Sequence, residues 1–64
     1  MKVLIADDEP IARQVLRELL EEWPGVAIVG EAASGPEVLR QVERLAPDVV
    51  LLDIHMPQIG RAHV

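Results

Sequence analysis

The chain has no cysteine, no tyrosine and no phenylalanine, and its one aromatic side chain is Trp23. Without cysteine there is neither a disulfide nor a thiolate metal ligand, and the expected compartment is the reducing cytoplasm. Without a set of aromatic rings there is little for a nucleobase to stack on. Positive charge is scarce as well: 6 Lys and Arg stand against 11 Asp and Glu, a formal net charge of -5. That balance argues against an electrostatic grip on nucleic acid by this segment. Long apolar runs are missing too, and the first one breaks at Asp7, so neither a membrane span nor a secretory signal is expected. With 64 residues the chain amounts to at most one small domain, of a size that buries only about 60% of its unfolded surface. Hydrophobic residues make up 50% of it, which excludes a disordered type.

The apolar residues fall into five groups. Val49-Val50-Leu51-Leu52 runs into Asp53, and Lys2-Val3-Leu4-Ile5-Ala6 runs into Asp7-Asp8-Glu9. Unbroken apolar runs rich in β-branched residues read as strands covered on both faces, as in a parallel sheet between helices. Val26–Ala32 reads as a further strand, weakened at Gly30. Between the first two strands Ile11, Val15, Leu16, Leu19, Leu20 and Trp23 recur at helical spacing, with Pro10 in the first turn and Pro24-Gly25 as the stop. Arg13, Arg17, Glu18, Glu21 and Glu22 are expected mostly on the opposite, solvated face. The second helix opens on Ser34-Gly35-Pro36-Glu37, the pattern of a capping box. Val38, Leu39, Val42, Leu45 and Ala46 form its apolar stripe and Pro47 closes it. The order is β-α-β-α-β, an α/β fold.

Strand order decides the chemistry. If the sheet runs second-first-third, the first and third strands become neighbours about 4.8 Å apart. Their carboxyl ends then bring Asp7, Asp8 and Asp53 to one edge, at the switch point where such sheets bind ligands. Converging carboxylates repel one another, and a hard divalent cation resolves the conflict. Oxygen-only ligands suit Mg²⁺, which keeps several waters and takes one or two protein carboxylates. An acid after a strand could also be a plain helix cap, and Glu9 is expected to serve the helix dipole rather than a metal. The side chain of His55 is expected to be a solvent-facing loop residue, Trp23 a core or helix-end anchor and Met56 a packing residue. Contact of Arg13 and Arg17 with a partner protein is a lesser expectation.

Asp7-Asp8-Glu9-Pro10 after the first strand, Leu51-Leu52-Asp53 ending the third, and Met56-Pro57 beyond it resemble the motifs of response-regulator receiver domains of two-component signalling. The resemblance covers residues 1–58, the N-terminal part of such a domain. It implies a truncated flavodoxin-like fold with parallel strand order 2-1-3. Asp53 would be the phosphoacceptor, taking phosphate from a histidine kinase or phosphotransfer protein. Mg²⁺ would be held by Asp8, by Asp53, by the backbone carbonyl of His55 and, through water, by Asp7. Asp-Asp-Glu-Pro with Ile11-Ala12-Arg13 is most similar to receivers attached to LytTR-type DNA-binding domains.

After Gln58 the chain departs from the family pattern. Ile59-Gly60-Arg61-Ala62-His63-Val64 stands where an Asp-Gly or similar pair is usual, and residues 59–64 are expected to be a non-native tail. The hydroxyl switch residue and phosphate-pairing lysine of the family's later strands are not among these 64 residues, so the segment alone is expected not to switch. A different class remains open: a Mg²⁺-dependent phosphatase of haloacid-dehalogenase type also uses a strand-end aspartate. That family wants a second acid two residues on, where this chain has His55.

Overall fold

A computed structural model describes residues 1–53. His55, Met56-Pro57 and the 59–64 tail lie outside the described residues. The elements are β1 (Lys2–Asp7), α1 (Pro10–Glu21), β2 (Ala27–Ala32), α2 (Gly35–Leu45) and β3 (Val49–Asp53). They form one parallel sheet in the order β2-β1-β3. This is the flavodoxin-like arrangement that the resemblance to receiver domains implies.

The N-terminal strand is therefore the central one. Val3, Leu4, Ile5 and Ala6 are buried, with Leu4 and Ile5 at 0% exposure, because β1 has a strand on each side and helices packed against it. Both helices pack on β1 and β2, and they do not touch each other. They lie on opposite faces, as two crossovers of one hand require when the strand order reverses. No helix among the described residues packs on β3.

Local chemistry explains the ends of the elements. Pro10 opens α1, where its missing N–H is no loss. In α2 the Ser34 half of the capping box forms, Oγ accepting from Glu37 N–H at 3.3 Å. The helix ends on Ala46 in the left-handed region (φ 47°), its N–H donating to the Val42 carbonyl. Gly25, at φ 87°, makes the turn into β2 that a residue with a Cβ resists. The weak point at Gly30 marks a bulge: Val3 pairs with Ile28 and Leu4 with Gly30, leaving Val29 as the extra residue. A Cβ at Gly30 would stand 2.9 Å from Leu45 Cδ1, so any larger residue there would make the Leu45 side chain shift.

Two expectations on α1 fail. Trp23 is 66% exposed and is no core anchor; it follows the last turn of α1 and has no sheet beneath it. Ile11, Val15 and Leu19 are exposed too, while Leu16 and Leu20 are half-buried. The apolar stripe is wider than the two strands beneath it.

Candidate functional site

The site begins with the β1 ladder. Each residue of β1 from Val3 to Asp7 faces one of β3, and the last pair is Asp7 opposite Asp53. The strand order thus brings both strand-end aspartates to the carboxyl edge of the sheet, at the point where the connections diverge.

The two acids differ in surroundings. Asp7 is 3% exposed, the one buried charged residue among those described. Its Oδ1 accepts the backbone N–H of Glu9 at 2.8 Å, a local bond that turns the chain from strand into helix. Asp53 is exposed, as is Asp8. Glu9 occupies the N-cap position of α1 but forms no side-chain cap bond. The alternative in which these acids cap α1 takes the form of an Asp7 turn, and Glu9 stands at the N-cap without a side-chain bond.

The carboxylates of Asp7, Asp8 and Glu9 lie within 4.8 Å of one another. Glu9 thus lies among these carboxylates as well as at the N-cap position of α1. Asp53 reaches the same edge through the ladder, and its carboxylate is not one of that close trio. The donors are all hard oxygens, with no sulfur or imidazole among them, which fits Mg²⁺ in kind. An open groove of about 520 Å³ runs beside them, between Ala12, Val15 and Leu16 of α1 and Leu51, Leu52 and Asp53 of β3, with Asp7 at its end.

Behind the acidic corner stands a group of charges that the sequence reading did not assemble. Arg13 Nε donates to Glu31 Oε1 at 3.1 Å, and Arg13 Nη1 donates to the Asp7 backbone carbonyl at 2.7 Å. Arg17 Nε and Nη2 both meet Glu31 Oε2, at 2.8 and 2.7 Å. The Arg17 guanidinium, with Arg13 beside it, holds the Glu31 carboxyl below the usual carboxylate range, against the opposing pull of burial. Arg13 and Arg17 thus reach toward β2, with the Arg17 side chain still 37% exposed.

The family model described as response regulator receiver domain matches residues 3–60. Among curated relatives, the chain is 53% identical over 57 residues to a protein-glutamate methylesterase/protein-glutamine glutaminase of Hahella chejuensis, covering 89% of this chain and 16% of that protein. It is 51% identical over 60 residues to the transcriptional regulatory protein BtsR of Escherichia coli, covering 94% of this chain and 25% of BtsR. The chain spans a quarter or less of the length of either relative. Among solved structures it is similar to the response regulator domain of Thermotoga maritima CheB, with a TM-score of 0.84 and 37% identity over 89% of this chain and 42% of that one. It is also similar to RcsB of Salmonella enterica, solved bound to a promoter, with a TM-score of 0.82 and 35% identity over 89% of this chain and 28% of that one. The phosphatase alternative gains no support from this match. Sheet order, acidic edge and family match agree: the chain belongs to the response regulator receiver domain family.

Proposed function

We propose that this segment is the N-terminal part of a receiver that takes phosphate onto Asp53 from a histidine kinase or phosphotransfer protein. The observation that carries the reading is the pairing of Asp7 with Asp53 at the carboxyl edge, beside the Asp7-Asp8-Glu9 carboxylates. An Asp53 carboxylate oxygen attacks the phosphorus of a phosphohistidine. The P–N bond breaks, its electron pair stays on the imidazole nitrogen, and an acyl phosphate forms on Asp53. In this reading Asp8, Asp53 and the His55 backbone carbonyl would hold Mg²⁺, and Asp7 would act through water. Bound Mg²⁺ would supply positive charge against the phosphoryl oxygens.

The remaining work falls to the chain's own groups. Asp7 fixes the corner through its bond to Glu9 N–H, and exposed Asp53 offers its oxygen to a donor. Relatives carry matching segments in a transcriptional regulator and in a methylesterase. The output of the parent protein is therefore assigned to other residues, a DNA-binding domain among the options, and the segment itself makes no contact with nucleic acid. By itself the 64-residue chain is proposed not to relay a signal, and residues 59–64 are read as a non-native tail.

The test is labelling of the full-length parent with a small-molecule phosphodonor. Label should appear with Mg²⁺ and vanish in Asp53→Asn and under a chelator. Undiminished label in Asp53→Asn places the acceptor elsewhere.

A further inference from the structure

We infer that Arg13 is a positioning residue for the acidic corner: its guanidinium, anchored on Glu31 of β2, grips the Asp7 carbonyl and so fixes the direction in which Asp8 leaves the sheet. The inference rests on the metal-binding reading of that corner. Arginine presents its donors in a rigid planar fork. Here one arm of the fork, Nε, meets Glu31 Oε1 at 3.1 Å and another, Nη1, meets the Asp7 carbonyl at 2.7 Å. The Asp7 carbonyl belongs to the peptide plane that joins Asp7 to Asp8. Because that plane is rigid, holding its oxygen also sets its N–H and the exit line of the Asp8 Cα.

The corner is thereby held from two sides. From within, the buried Asp7 side chain accepts Glu9 N–H at 2.8 Å. From behind, Arg13 holds the Asp7 main chain. Glu31 pairs with Ile5 in the β1–β2 ladder, so the anchor stands on the sheet rather than on the mobile end of a side-chain pair. Arg17 shares Glu31 through Oε2, pairs with Glu21 of its own helix at 3.7 Å, and makes no bond to the corner among the described residues, which makes it the internal control. Removing Arg13 takes a charge and one contact from Glu31, and removing Arg17 takes a charge and two. Removing Arg13 alone also releases the Asp7 carbonyl.

The experiment is a calorimetric Mg²⁺ titration of the full-length parent, with thermal unfolding run alongside. Arg13→Ala should weaken Mg²⁺ binding by about tenfold, the low end of what outer-shell partners contribute to metal sites. Arg17→Ala should lower the unfolding temperature comparably and leave Mg²⁺ affinity unchanged. Arg13→Lys, which keeps the charge and loses the fork, should restore only part of the affinity. If Arg13→Ala does not fold, Arg13→Lys and Glu31→Gln carry the comparison, each expected to bind Mg²⁺ more weakly than Arg17→Ala. Equal affinity in Arg13→Ala and wild type overturns the inference, and so does an equal loss in Arg13→Ala and Arg17→Ala. A wild-type protein that takes up no Mg²⁺ overturns the proposed function itself.

Discussion

β1 and β3 are built alike, as short apolar strands that end in aspartate, and they meet different fates. Val3 to Ala6 are buried and Asp7 is 3% exposed, whereas Val49 to Leu51 are half-buried, Leu52 is 61% exposed and Asp53 is open. Composition does not separate them; neighbours do. β1 has β2 and β3 beside it and both helices against it, while β3 pairs with β1 alone and carries no helix among the described residues. Apolar grooves flank β3 instead: Val15, Leu16 and Leu51 line one, and Pro36, Val38, Leu39 and Leu52 another. The same difference suits the two acids to different tasks. A buried Asp7 can hold a corner, and an exposed Asp53 can be reached by a phosphoryl donor.

Core truncation should break the comparison most sharply. Leu4→Ala, at a site with 0% exposure, should cost about 2–5 kcal/mol in urea unfolding of the full-length parent, the usual range for a buried leucine. An unfolding curve that matches wild type would mean that Leu4 does not sit in the core.

Self-association comes next. A strand edge with unpaired backbone groups and an exposed Leu52 invites pairing with another chain. The purified 64-residue chain should show a broad or absent unfolding transition with aggregation, reduced by Leu52→Lys in sedimentation. A sharp, reversible transition of a monomer would contradict this.

The acidic corner gives a finer contrast. Asp8→Asn should weaken Mg²⁺ binding more than Glu9→Gln does, although the Glu9 carboxylate lies in the same cluster. Equal effects in a Mg²⁺ titration would make Glu9 a ligand in its own right.

The smallest effect concerns acid. The folded-state pKa of Glu31 is lowered from its ordinary 4.5, through Arg17 first and Arg13 second. The ion-paired carboxylate therefore stabilises the fold above the unfolded pKa, and that contribution fades as pH falls through the lower folded value. Glu31→Gln should flatten the stability profile below about pH 4.5 in acid titrations monitored by circular dichroism. A profile that matches wild type there would show that the pair does not respond to pH.

What could be read from the sequence was what depends on local pattern. The five elements, Pro10 at the start of α1 and the Ser34 cap follow from spacing and turn chemistry, whereas Gly30 marked only a weak point and the bulge beside it came from the structure. The strand order 2-1-3 was implied by the resemblance to receiver domains; two strands that end in acid agree with it without fixing it. The pairing of Arg13 and Arg17 with Glu31 did not emerge, because it joins residues 18 and 14 positions apart and depends on α1 lying over β2. Trp23 and the outer stripe of α1 were misjudged for the converse reason. Periodicity tells which face of a helix is apolar, and only the width of the sheet tells how much of that face is covered.

The central place of the first strand also governs the order of assembly. Lys2 N–H donates to Asp48 Oδ2 and Asp48 N–H donates to the Lys2 carbonyl, a clasp between groups 46 residues apart. During synthesis the middle of the sheet leaves the ribosome first and must wait for nearly the whole segment before its second neighbour exists. Until then β1, α1 and β2 are the smallest unit able to pair. Such late, non-local closure slows folding, so the hazardous interval for this chain is the time between the emergence of β2 and that of β3, when one side of the strand that ends up most buried stands open.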